Sequence, residues 1–421
     1  MPTAVSDPTA PVQPPPATRI LSIDALRGLV MFTMIYVNDI AGAPHRLIPD
    51  WMVHFSDRHH GGSGMTFVDV VFPAFVFIVG MSIPFALGSR IARGEPLWKI
   101  AGHIVARTLA LLAIGILMVN GESAARGTPD WSPELWSYTM FLSAIFAFCT
   151  ISPPSAGPGR ERFWKKFSLG LRGIGFAGMI YCAFTFHGRH DQAIITLSPF
   201  SIHTSWYGIL GLIGWSYLVA SVVFLLFRAN RTALLGCLIL LLCLYPADKS
   251  GLFENFPLSH FVGIGEMLGA HPAIAVAGLL LASILVAPEM RTNRARLSFT
   301  LLMVAGCAAG ALLLSGLYGI SKNNATPSWC LWSCAITAAL WLGFYYLCDV
   351  ASVKIVARPL AAAGSNVLLA YLLSEMLPNP FHLGGLEETG LLPAMACSIA
   401  WAGLLLLATV GLNRVGVRLK L

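Results

Sequence analysis

The chain has 421 residues, of which 56% are hydrophobic and only 11% charged. A soluble domain of ordinary composition carries about 25% charged residues, so this chain has too little polar surface to be solvated by water, and a soluble globular protein is excluded. The net charge of +7 requires no nucleic-acid partner, because the basic residues follow a pattern that membrane topology explains.

Met1 to Thr18 is rich in Pro, Ala and Thr and includes Pro14-Pro15-Pro16. It lacks the basic start and apolar core of a signal peptide and reads as a disordered tail. Residues 19–421 then read as one transmembrane domain. A bilayer core needs about 20 mainly apolar residues per helix, and such blocks recur at 23–43, 67–89, 99–119, 132–152, 167–186, 205–227, 232–246, 271–288, 298–319, 328–349, 356–376 and 391–413. The weakest are 167–186, which contains Arg172, and the short 232–246. The fold class is an all-α, polytopic transmembrane helix bundle of about 11–12 spans. No internal repeat is visible.

Loop charge sets orientation, since Lys and Arg concentrate on the cytoplasmic side. With the N-terminus in the cytoplasm, only Arg46, Arg58, Arg126, Arg189, Lys249 and Lys322 of the 27 basic residues fall outside. One missed span would invert every later loop and destroy that bias. Histidine shows the opposite asymmetry: His45, His54, His59, His60, His187, His190, His203, His260, His271 and His382 lie in outer loops or outer helix ends, and His103 alone lies inward. Imidazole titrates near neutral pH and serves as general base or metal ligand, so the outer face is the place to expect acid–base chemistry. No HxxxH or HExxH pattern is present, and no metal is expected. The nine cysteines form no CxxC pair and lie mostly inside apolar blocks, as small packing residues do.

Ionisable groups within a span are costly and point to function by default. In the first span Asp24 and Arg27 are three residues apart, on one helix face. They are either an interfacial ion pair or the place where Arg27 meets an anionic group such as a nucleotide phosphate. That span ends in Asn38-Asp39. Asp69 lies about one turn inside the second span, where the helix dipole favours a carboxylate, either as a helix-start group or orienting a neighbour. Between them runs His59-His60-Gly61-Gly62-Ser63-Gly64, adjacent histidines beside a glycine-rich turn that can approach a substrate. Further on, Lys322 to Ser328 forms an outer loop entering the tenth span, Asp349 closes that span, and Gly364-Ser365-Asn366 interrupts the eleventh. Gly306-xxx-Gly310 reads as a close helix-packing surface.

Taken in order, Arg19-x-x-Ser22-x-Asp24-x-x-Arg27-Gly28, Val37-Asn38, the histidine loop and Gly64-x-Thr66-x-x-Asp69-x-Val71-Phe72-Pro73-x-Phe75-x-Phe77-Ile78-x-Gly80 resemble heparan-α-glucosaminide N-acetyltransferase and its bacterial membrane homologues. Lys322-x-x-x-Thr326-x-Ser328, Asp349 and Gly364-x-Asn366 resemble the C-terminal motifs of that family. The likeness is strongest over 19–90 and 320–376. The chain departs from the family pattern at Gly62 and Ala325, both usually Trp, and over Glu134 to Thr139.

The resemblance implies a membrane acyltransferase. Acetyl-CoA enters from the cytoplasm, and the acetyl group reaches an amine or hydroxyl of a glycan or amino-sugar acceptor on the other side. It implies a bacterial inner-membrane protein, with both termini cytoplasmic and the histidine loop outside, and it leaves room for a homodimer. The family's active histidine precedes the helix-start Asp by ten positions, which falls on His59, with His60 one residue away. His59, Asn38 and Asp69 are then the expected catalytic residues. Arg27, Asp24 and Asn366 are expected to bind the acyl-CoA, and His60, Asp39, Lys322 and Ser328 the acceptor. Twelve spans also suit a transporter or flippase of a sugar or lipid-linked glycan, although many transporters show repeated halves with paired broken helices.

Overall fold

The computed structural model describes residues 20–44, 46–58, 62–122, 132–153, 158–188, 193–197, 200–203, 206, 208–385 and 388–421. The tail 1–18 and the expected active histidines His59 and His60 lie outside the described residues.

The helices are α1 (Leu21–Ile40), the single turn α2 (Phe55–Arg58), α3 (Val68–Ala92), α4 (Leu97–Glu122), α5 (Pro133–Phe148), α6 (Pro158–Thr185), α7 (Ile209–Phe227), α8 (Arg231–Lys249), α9 (His271–Val286), α10 (Asn293–Tyr318), α11 (Pro327–Phe344), α12 (Lys354–Ala363), α13 (Val367–Met376) and α14 (Leu391–Arg414). Among the described residues, ten helices are long and apolar enough to cross a membrane. Among these, α9 is extended at its start by a π-helical segment, Ile264–Ala270, and α11 at its end by another, Tyr345–Val350. The pair α12 and α13 is bent by 68° at the Gly364-Ser365-Asn366 break, and taken as one broken span it brings the number to 11. The expected span at 132–152 is α5, a helix of only 16 residues. The two spans that read as weak are full helices, α6 with 28 residues and α8 with 19.

Contacts fix which helix ends meet. Strand β1 (Cys149–Ile151), following α5, pairs antiparallel with a strand that follows α14, Val417–Leu419, with Thr150 opposite Arg418. Asp349 accepts the Ser22 backbone N–H at 3.3 Å, and Arg231 pairs with Glu289 at 2.7 Å. These contacts define the near end of the bundle, where α1 begins. At the far end Asn38 meets Glu375, Gly64 N–H meets the Ile320 carbonyl, and the Trp206 indole donates to the Phe261 carbonyl. A small hairpin, Ile195–Leu197 with Phe200–Ile202, also lies on the far-end connection between α6 and α7.

The centre of the bundle is α3 against α9. The apolar window of α3 is 78% buried and that of Ile264–Val286 is 89% buried, whereas α10 is 17% buried and α6 and α8 are 22% buried. The peripheral helices expose leucines such as Leu302, Leu313 and Leu317, as lipid-facing helices do once their backbone groups are satisfied internally. The central crossing depends on small residues. A Cβ added at Gly80 would strike the Ala275 carbonyl, and one at Gly278 would strike the Phe77 carbonyl. Close backbone approach of this kind replaces the hydrophobic drive that lipid cannot supply.

The Gly306-xxx-Gly310 reading is corrected by the structure. A Cβ at Gly306 would meet nothing within 4 Å, and one at Gly310 would meet only the end of Leu331 at 3.1 Å. The four-residue spacing was right for a small-residue face, but no helix closes onto Gly306. Instead these glycines line an open apolar groove between α8 and α10. All nine cysteines are unpaired, and seven are buried.

Candidate functional site

At the far end, the turn entering α3 brings Asp69 into contact with a loop that precedes it by about fifteen residues. Asp69 is 2% exposed. Its Oδ2 accepts the backbone N–H of Thr66 at 3.0 Å and of Phe55 at 3.1 Å, and the Thr66 hydroxyl at 3.3 Å. Its Oδ1 lies 2.7 Å from His54 Nδ1. The Trp329 indole of α11 donates to the Asp69 carbonyl at 3.2 Å, which ties the start of α3 to the neighbouring helix. A carboxylate can only accept, so His54 Nδ1 carries the hydrogen. In the neutral ring the Nε2 lone pair is then free, a tautomer set by the partner. His54 keeps 32% of its side chain exposed.

Lys322 completes the group. Its Nζ lies 3.3 Å from His54 Nδ1 and 3.2 Å from Nε2. With Nδ1 bonded to Asp69, Nε2 is the one ring nitrogen left with an in-plane lone pair, and the Lys322 amine stands within hydrogen-bond reach of it. Burial holds the Lys322 amine below the usual lysine range, against the opposing pull of Asp69 and Asp57. The loops are fastened together: Gly64 N–H donates to the Ile320 carbonyl at 2.9 Å, and Ile320 N–H to Ser63 Oγ at 2.8 Å. Thr326 Oγ1 accepts Ser321 N–H at 3.0 Å, and the Ser328 hydroxyl donates to the Gly319 carbonyl. Between these loops lies a cavity of about 300 Å³, lined among others by Phe55, Ser63, Asp69, Tyr318, Lys322 and Asn324.

Asn38 and Asp39 belong to a separate far-end cluster. Asn38 Nδ2 donates to Glu375 at 3.2 Å, and Asp39 accepts Asn379 Nδ2 at 2.9 Å and lies 3.4 Å from His382 Nε2. The expected pairing of Asn38 with His59 falls outside the described residues.

The near half of the bundle holds a second cavity, also about 300 Å³. Arg27 reaches into it with Nη1 on Asp24 at 2.9 Å and Nη2 on the Ser82 hydroxyl at 2.6 Å, so the predicted i, i+3 pair is formed. Arg107 of α4 lines the same cavity, its guanidinium 4.6 Å from the Tyr217 ring centre and its buried Nε without a partner. Met34 and Phe75 also line it. At 1.5 Å per residue, the cavity therefore extends about 10 Å along α1 from Arg27, and its Phe75 wall is about 9 Å along α3 from Asp69. Asn366 uses its side chain on backbone, donating to the Val417 carbonyl at 3.3 Å and accepting Leu419 N–H at 3.2 Å. It thus holds the second strand of the near-end clasp beside a cavity wall formed partly by Gly364, Ser365 and Leu421.

The structure therefore brings together Asp69 and Lys322 at the far end, with Ser328 bracing their loop, and Asp24 and Arg27 at the near end. It places Asn38 and Asp39 apart from both groups. Sequence reading missed His54, Arg107, Ser82 and Trp329 as site residues. Arg107 carried a signal, being a charge one helix turn or more inside an apolar block. No metal-binding group of three or more His, Cys, Asp or Glu is found among the described residues.

These features define a polytopic membrane protein with polar cavities at opposite ends of one helix layer. Residues 19–148 match the profile of a family described as a domain of unknown function, DUF5009. The chain is similar to heparan-alpha-glucosaminide N-acetyltransferase of Mus musculus, 33% identical over 139 residues, which is 31% of this chain and 20% of that protein. It is also similar to the Homo sapiens protein of the same name, 35% identical over 102 residues, 24% of this chain and 14% of that one. The chain is a homologue of these acetyltransferases over the matched stretch, which spans a fifth or less of the relatives' length.

Proposed function

We propose that this protein is a membrane acyltransferase that moves an acetyl group from acyl-CoA on the near side to a sugar amine or hydroxyl on the far side. The observation that carries this reading is the pair of cavities flanking α1 and α3. One is lined by two arginines, and the other by Lys322 and by Asp69, the buried carboxylate that also holds the His54 imidazole. The positive-inside bias makes the near side cytoplasmic, where acyl-CoA is available. Arg27 and Arg107 then face the CoA phosphates with charge-assisted hydrogen bonds, while Asp24 and Ser82 aim Arg27. Asn366 acts on the donor side by holding the clasp that shapes the cavity wall. The cavity leads the acyl end past Met34 and Phe75 toward Asp69.

On the far side His59 serves as base or as transient acyl carrier beside the Asp69–His54 pair, and His60, Lys322 and Ser328 form the acceptor side. In the transfer, the acceptor nitrogen or oxygen bonds to the acetyl carbonyl carbon, the C–S bond breaks, and the acceptor proton ends on the CoA sulfur. The transporter reading is favoured by the broken α12–α13 span, since discontinuous helices line many transport sites. It is the only such break found among the described residues, whereas those transporters carry one in each half.

The deciding measurement is acetyl-CoA binding and turnover by purified protein in detergent, beside Arg27→Ala and His59→Ala. Acetyl transfer to an amino sugar, with a raised KM for acetyl-CoA in Arg27→Ala and no transfer in His59→Ala, supports the reading. No CoA binding at all overturns it in favour of transport.

A further inference from the structure

We infer that His54, held by Asp69 and faced by Lys322, accepts the acceptor's proton at the far-side site. This inference rests on the acyltransferase reading and deepens it by assigning the proton to a residue outside the expected active set. The argument begins with the buried carboxylate. Asp69 gives one oxygen to two backbone N–H groups and the Thr66 hydroxyl, so it cannot swing away, and it gives the other oxygen to His54 Nδ1 at 2.7 Å. A fixed carboxylate behind an imidazole sets the tautomer and the ring orientation, and it stabilises the imidazolium that forms when Nε2 takes a proton. The ring remains partly exposed, and a substrate reaches Nε2 by taking the place of the Lys322 amine, which stands 3.2 Å from it. Asp69 also lines the polar cavity beneath it.

Lys322 acts in the opposite sense. Its amine stands 3.2 Å from Nε2, where a cation opposes the build-up of positive charge on the ring. The other charged or titratable groups of this neighbourhood are Asp57 on α2, which acts on Lys322, and the buried His271 of α9, which also senses Lys322 and bonds the Glu266 carbonyl through Nδ1. In the step itself the acceptor N–H or O–H gives its proton to His54 Nε2 as its heavy atom bonds to the acetyl carbon. The bond from that carbon to its donor breaks, whether to the thioester sulfur or to an acyl-imidazole nitrogen. His54 then returns the proton to the leaving atom, so the ring ends as it began.

The test uses full-length protein in detergent, with acetyl-CoA as donor and an amino sugar as acceptor, and compares wild type, His54→Gln, Asp69→Asn and Lys322→Met. The first readout is kcat/KM against pH, and the second is ¹³C-histidine NMR titration of the His54 ring, which needs no turnover. His54→Gln should lose about 10²–10⁴-fold in transfer while binding acetyl-CoA as wild type does. Lys322→Met should move the rising limb of the pH profile, and the His54 ring signal, to higher pH. Asp69→Asn should move both to lower pH. A purely structural role for either partner gives no such opposed shifts, and Lys322→Met serves if Asp69→Asn does not fold. Transfer retained in His54→Gln, or shifts of one sign, overturns this inference alone. No transfer by wild-type protein to any acceptor overturns the acyltransferase reading together with it.

Discussion

Replacing Arg107 with Leu separates ligand binding from packing, because the packing terms oppose each other while the binding term stands alone. In the structure the Arg107 Nε is buried and unpartnered, and a buried donor left unsatisfied costs about 1–3 kcal/mol. The guanidinium recovers part of that through the Tyr217 ring, 4.6 Å away, worth about 0.5–2 kcal/mol. Leu removes both terms, so at their central values of about 2 and about 1 kcal/mol the unliganded protein should change stability by about 1 kcal/mol. Acetyl-CoA, by contrast, loses a charge-assisted partner of about 1.5–3 kcal/mol, which at 1.4 kcal/mol per decade weakens Kd by about 10- to 100-fold. Isothermal titration in detergent gives Kd, and a thermal melt of the same sample gives stability. An unchanged Kd, or a collapse of the melt with no separable binding effect, would refute the reasoning.

Three further outcomes are expected. Gly80→Val forces a side chain into the Ala275 backbone at the α3–α9 crossing and should cost at least about 1–3 kcal/mol, read as a lowered melting temperature. Gly306→Val, facing open groove, should leave that temperature unchanged. Because Lys322 titrates below its ordinary 10.5 when folded, the unfolded chain binds more protons between the folded value and 10.5. Wild-type stability should therefore rise relative to Lys322→Met as pH climbs through that alkaline window, and chemical denaturation at stepped pH measures it. Single cysteines introduced at Asn324 and Ser365 in a background lacking exposed native thiols should react with an impermeant maleimide from opposite faces of sealed vesicles. Labelling of both from one face would contradict the two-ended arrangement.

The spans were legible because hydropathy over about 20 residues is a strong signal, and all twelve candidate segments correspond to helices. The short α5 and the kink at Gly364-Ser365-Asn366 were harder to read. Length depends on how deeply a helix sits, and the bend is imposed by packing near the clasp. The Asp24–Arg27 pair was legible because its partners share one helix face. His54 was not: its carboxylate lies fifteen residues later across a loop, and no periodicity links them. Gly306-xxx-Gly310 misled because spacing reveals a small-residue face but not whether a helix covers it. Asn366 is expected from sequence to bind the acyl-CoA, and its hydrogen-bond partners Val417 and Leu419 belong to a strand that follows α14, which no local pattern reveals.

The near-end clasp has a consequence for biogenesis. Thr150 and Arg418 meet across 268 residues of chain, so α5 enters the bilayer long before its strand has a partner. Asn366 waits likewise for Val417 and Leu419, and Leu421 contributes to the wall of the arginine cavity. The arginine cavity is therefore completed only after α14 and the strand that follows it have been made, so a nascent chain halted before α14 lacks an intact wall there.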